Sequence, residues 1–173
     1  MNLIITCARH LEPETKEEIA RILGEFGDSE PKITITSMSG ILTVKTQLDP
    51  VEVVKKIRER ILDEPWSVRY CLRIIPIQKL SETKIEEIEE TISELIGSIP
   101  KGESYRISIE KRNSNISSQE LITKIATKIK NKVSLENPDK IVLIEVLGTK
   151  TGISVLNNSD ILSVEKTKRS MSD

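Results

Sequence analysis

Lys111 and Arg112 end a stretch of alternating apolar residues, and a bridge of four residues separates them from Ser117 and Ser118, which open a helical pattern. Two cations delivered to the start of a helix are the ingredients of an anion site, because the first helical turn carries free N–H groups and a partial positive charge. Further on, Lys124, Lys128 and Lys132 recur every four residues with no acid between them. On a helix such a row forms one ridge of like charge, which costs about 0.2–0.5 kcal/mol per neighbouring pair and is easier to understand beside a polyanion. A purely structural reading also accounts for the serines. Ser117 with Glu120 makes a capping box, and Glu120 places a carboxylate in the turn that a phosphate would occupy. From these residues alone both readings stand.

Covalent and acid–base chemistry have little to work with. His10 is the only histidine, and Cys7 lies three residues before it, a spacing that sends strand residues to opposite faces. The chain has no GxGxxG, no phosphate loop, no His-Glu-x-x-His and no acidic cluster with metal-ligand spacing, and its seven glycines are scattered. No cofactor, no metal and no catalytic residue is therefore expected. Cys7 and Cys71 are too few for a zinc site and read as buried free thiols.

The totals bound the class of partner. With 37% hydrophobic and 31% charged residues the composition is that of a folded protein, and no run approaches the roughly 18 apolar residues of a membrane span. The first residues lack the basic head and cleavage site of an export signal, so a cytoplasmic protein without a membrane partner is expected. Trp66, Phe26, Tyr70 and Tyr105 are the complete aromatic set, too few for the stacking platforms of RRM or OB domains. Any RNA would be held by charge and shape. The net charge of −1 conceals a strong asymmetry. Between Ser81 and Ile99 six glutamates face one lysine, whereas between Lys101 and Val133 eight cations face three glutamates.

The elements that must position these residues fall into two groups. "NLIITC", "PETKEEIARILGEF", "KITITSM", "GILTVKT", "DPVEVVKKIRERIL" and "SVRYCLRIIPI" read as strand, helix, strand, strand, helix, strand. Asp49 caps the second of these helices, with Pro50 at its first position. This β-α-β-β-α-β order is the ferredoxin-like pattern, placed over residues 1–76. Pro76 then ends the strand and begins a linker. A helix capped by Thr83 follows, carrying Ile85, Ile88, Ile92, Leu95 and Ile96 at helical spacing. In "YRISIEKR" the residues Tyr105, Ile107 and Ile109 point inward, and a helix from Ser118 to about Asn131 buries Ile122, Ile125, Ala126 and Ile129. "KIVLIEVLG" is a strand covered on both faces, and "GISVLN" and "DILSVEKT" are two more strands. The fold class is α+β, with domains at 1–76 and 77–167 and a frayed tail at 168–173.

These residues resemble a known family. The order of "YRISIEKR", the Ser-Ser helix start, "VSLENPDK", the buried strand and "GISV" resembles a THUMP domain. "CARHLE", "SGILTV", "LDPVEVV", "EPW" and "LRIIPI" resemble the ferredoxin-like domain that precedes THUMP in stand-alone archaeal proteins. The resemblance implies a non-catalytic tRNA-binding protein that recognises the acceptor stem and 3′ end. By it, Lys111, Arg112, Ser117 and Ser118 become acceptor-end contacts and Arg73 a contact near the domain junction. Lys124, Lys128 and Lys150 are added from charge alone. The implied partner is a tRNA-modifying enzyme, first a cytidine acetyltransferase, with methylation, thiolation or pseudouridylation enzymes as alternatives. A small-molecule-sensing module is the remaining reading, although "CARHLEP" lacks the glycine that close approach of a ligand would want.

Overall fold

The computed structural model describes residues 1–171. In chain order its elements begin β1 (Leu3–Cys7), α1 (Glu12–Glu25), β2 (Lys32–Ile35), β3 (Ile41–Lys45), α2 (Pro50–Asp63) and β4 (Cys71–Pro76). They continue with β5 (Lys79–Glu82), α3 (Ile85–Ser93), β6 (Tyr105–Arg112), α4 (Ser118–Ala126), β7 (Lys140–Leu147), β8 (Lys150–Leu156), β9 (Leu162–Ser163) and α5 (Val164–Arg169). Two compact units result: Met1–Pro76 together with the segment from Asp160 onward, and Ile77–Ser159.

The first unit is an antiparallel sheet of order β2-β3-β1-β4-β9. Leu3 and Ile5 of β1 turn one way along the pleat and meet Ile19, Ile22 and Leu23 of α1 and Val53, Val54, Ile57 and Ile61 of α2 in one core. The helices start for local reasons. The Asp49 carboxylate accepts from the Val51 N–H at 2.9 Å, and Pro50 sits where a missing N–H costs nothing. The turn before β3 requires glycine: Gly40 has φ 74°, and a Cβ there would lie 2.6 Å from the Cys7 carbonyl oxygen. Glu18, which the sequence pattern did not mark, is 5% exposed on α1. Its carboxylate accepts from the amides of Arg69, Tyr70 and Cys71, so one side chain of the helix fixes the approach to β4.

The second unit is a mixed sheet of order β5-β8-β7-β6, in which only β6 and β7 run parallel. Ile88 and Ile92 of α3 and Leu121 and Ile125 of α4 pack on Tyr105, Val142, Ile144, Val146, Ile153 and Val155. β7 is buried from Ile141 to Leu147, as a central strand covered on both faces should be.

Four expectations change. The linker after Pro76 contains a strand, β5, whose Lys79–Glu82 pair with β8. Thr83 does not cap α3; its hydroxyl is 2.8 Å from the hydroxyl of Thr151 on β8, and Lys84 precedes the helix without a side-chain cap. α4 ends at Ala126 and buries Leu121 in place of Ile122, which is 37% exposed, while Ala126 is also exposed. Finally, "DILSVEKT" leaves the second unit. Leu162 and Ser163 pair with Ile74 and Arg73 of β4, and the chain then turns into α5 with the Ser163 hydroxyl accepting from the Lys166 amide. The second unit thus stops at Ser159 rather than 167, and Lys168 and Arg169 are helical; residues 172–173 of the expected tail lie outside the described residues.

Candidate nucleic-acid interface

β6 delivers its last two residues to opposite faces of the sheet, and this alternation separates the basic pair. Lys111 lies on the side that carries α3 and α4. The backbone turns at Asn113, whose φ of 55° is left-handed, and the Ser114 hydroxyl accepts from the Ile116 amide at 3.2 Å. The exposed Lys111 ammonium then reaches over the bridge and donates to the Ile116 carbonyl at 2.8 Å, one residue ahead of the helix cap. The Ser117 hydroxyl accepts from the Glu120 amide at 3.1 Å, and Ser118 opens α4. Lys111, Ser117 and Ser118 are therefore brought together at the positive end of a nine-residue helix. Lys124 stands on the last turn of α4, about 9 Å along the axis from Ser118 at 1.5 Å per residue, and is in no ion pair among the described residues.

Arg112 does not join them. Its guanidinium is 2.9 Å from the carboxylate of Glu145, a β7 residue with no exposed side-chain surface, on the other face of the sheet. Its charge compensates a buried carboxylate. The lysine ridge is also broken, because the helix ends before Lys128 and Lys132. Lys128 turns to the acidic helix α3, pairing with Glu89 at 3.5 Å and donating to the Ser93 hydroxyl at 3.1 Å. Lys132 is exposed in the irregular chain beyond, where its carbonyl accepts from the Tyr105 amide. Lys130 is exposed there too, and neither lysine is in an ion pair among the described residues. Lys150, at the start of β8, pairs with Glu82 of β5, and this hydrogen bond holds the Glu82 carboxyl below its ordinary range. Arg73 belongs to the other unit, on β4 between Thr6 and Ser163.

Cys7 is buried in the core of the first unit, and burial pushes its thiol up, away from the thiolate that a nucleophile needs. His10 is exposed in the following loop with φ 75°, its amide donating to Glu12. Both cysteines are free, and among the described residues no group of three His, Cys, Asp or Glu could hold a metal ion. No helix is long and apolar enough to cross a membrane among these residues.

Residues 82–156 match the family model of the THUMP domain. Among curated proteins none matches the sequence. Of solved structures, the chain is similar to PH1313 from Pyrococcus horikoshii Ot3, with TM-score 0.70 and 19% identity over 90% of this chain and 54% of that one. It is similar also to TrmN from Thermus thermophilus, with TM-score 0.59 and 12% identity over 90% of this chain and 45% of that one. A 4-thiouridine synthetase solved with RNA and ATP gives TM-score 0.60 and 10% identity over 94% of this chain and 42% of that one. At such identities the likeness is one of fold, and the chain spans about half the length of these structures or less. The mixed sheet with α3 and α4 on one face, carrying the Lys111 turn, is thus a THUMP domain.

Proposed function

We propose that this chain binds tRNA through its THUMP domain, contacting the acceptor stem and the unpaired 3′ end, and acts as the non-catalytic adaptor of a tRNA-modifying enzyme. The observation that carries the reading is the THUMP match over residues 82–156 combined with the exposed Lys111 ammonium beside the capped start of α4. Supporting it, the 4-thiouridine synthetase of similar fold was solved with RNA bound. The contact set we favour is Lys111, Ser117, Ser118 and Lys124, with Lys130 and Lys132 added for their exposure. Arg112, Lys128 and Lys150 recede, because each already faces a carboxylate. The finer proposal is that the partner is a cytidine acetyltransferase, the enzyme that the sequence resemblance implies.

A gel shift comparing intact tRNA with tRNA trimmed of its 3′ tail tests ligand and site together. Tighter binding of the intact molecule is expected, with log K falling steeply against log salt as phosphate counterions are released. Equal binding of both would remove the 3′ end from the site. Incubating the purified chain with tRNA, acetyl-CoA and ATP tests the adaptor role, and acetylated cytidine formed by this chain alone would overturn it.

A further inference from the structure

Trp66 is the only tryptophan of the chain, and it is 71% exposed. It stands on a short 3-10 turn, Pro65–Ser67, and that turn is firmly mounted. The Arg69, Tyr70 and Cys71 amides that follow donate to the buried Glu18 carboxylate. The intervening Val68 is fully buried, and its carbonyl accepts from the Lys168 ammonium of α5 at 2.8 Å. A large apolar ring is therefore presented to solvent from a fixed position, where burying it would recover much of its apolar surface.

Cations and acids both stand around it. Arg69 is exposed, with its guanidinium 5.7 Å from the Tyr70 ring. Lys168 ties α5 to Val68, and the same helix leaves Lys166 and Arg169 exposed because Val164 takes the inward position. Arg73 pairs in the sheet with Ser163, the residue that caps α5. The acid on this helix is Glu165, at 3.9 Å from Arg169, while Asp63 and Glu64 precede the turn. Leu62, 46% exposed on α2, would suit an apolar protein surface as well. RNA is the occupant that uses the exposed cations as well as the ring, since a strand has phosphates to neutralise and flat bases to stack. One ring is no platform of the RRM kind, but it is enough for one base.

We infer that this corner is a second RNA contact, at which an unpaired base stacks on Trp66 while Arg69, Lys166 and Arg169 meet adjoining phosphates. The inference rests on the proposed RNA binding and adds to it a contact outside the THUMP domain.

As the sole tryptophan, Trp66 reports on this spot alone by its emission. The full chain is titrated with intact tRNA while tryptophan emission and the anisotropy of dye-labelled tRNA are followed together. Quenching with the same midpoint as the anisotropy change is expected. Trp66→Ala should weaken binding about 5- to 140-fold, the range for loss of one base–aromatic stack, and Trp66→Phe should lose less. Lys166→Glu with Arg169→Glu should weaken it as well, with an unchanged circular dichroism spectrum. If tRNA binds with unaltered emission and Trp66→Ala keeps the wild-type Kd, the inference fails and the THUMP reading stands. If the wild-type chain binds no tRNA, both fall. If Trp66→Ala alters self-association in sedimentation while its tRNA affinity is that of the wild type, the surface belongs to protein contacts and the inference fails.

Discussion

Lys111 and Arg112 are neighbours of one charge type, and nothing in their immediate sequence separates their roles. The pleat does, and the group that claims Arg112 is Glu145, which lies 33 residues further along the chain. Glu145 interrupts the apolar run of "KIVLIEVLG", so the buried strand was legible while its need for a cation was not. The two residues should therefore fail differently. Arg112→Ala leaves a carboxylate without its guanidinium inside the sheet, and a loss of about 3 kcal/mol is expected in urea unfolding, the lower end of what removing one partner of a buried pair costs. Adding Glu145→Gln to that variant should recover part of the loss. Lys111→Ala gives up one exposed hydrogen bond, so its stability should fall by no more than about 1 kcal/mol. Its slope of log K against log salt should fall by roughly one unit, the share of one phosphate contact. A wild-type slope in folded Lys111→Ala protein would remove this lysine from the interface.

Elements were legible where the cause is local and misread where it is distant. Asp49-Pro50 fixes the start of α2, and Ser117 fixes that of α4, within two or three residues. The end of α4 has no such signal: Ile129 continues the helical spacing, yet the chain leaves the helix after Ala126 and still buries Ile129 in the core. Lys128 is consequently directed to α3, whose acidic face partly neutralises the basic segment from within the same unit. Replacing Glu89 by Gln should release that lysine, steepening the salt dependence of tRNA binding by up to about 0.9 unit. Unchanged binding would mean that Lys128 lies away from the RNA.

A second contact between elements joins the starts of β6 and β7. The Ser104 amide and hydroxyl both donate to Asp139, and the amide bond, as the larger cause, holds the Asp139 carboxyl below its ordinary range. A depressed carboxyl stabilises the fold above its unfolded value of about 3.9 and loses that contribution as the pH falls through its lower folded value. The stability difference between wild type and Asp139→Asn should accordingly be constant from neutral pH to about pH 5 and should shrink in stronger acid. A difference that grows on acidification would contradict this assignment.

At the scale of the whole molecule, the division after Pro76 follows from a change of pattern along the chain, but the return of the C-terminal segment to the first unit leaves no such trace. "DILSV" reads as one more strand for whichever sheet is nearest in sequence, and only the pairing of Arg73 and Ile74 with Ser163 and Leu162 shows that it closes the edge of β4. Its apolar residues complete the first core: Leu162 is fully buried and Val164 is 4% exposed among Ile57, Ile61 and Cys71. Shortening Leu162 to Ala should therefore cost about 2–4 kcal/mol, a typical loss for a buried leucine. Hydrogen exchange read by mass spectrometry locates the effect. Faster exchange is expected across residues 1–76, where the β4 edge and α2 lose their cover, whereas the strands between residues 105 and 156 should exchange at wild-type rates. Removing residues 160–173 should produce the same pattern in stronger form, with aggregation through the bared edge of β4. Uniform acceleration over all residues would show that the segment supports both units equally, and no acceleration would show that β9 and α5 contribute nothing to the core they enter.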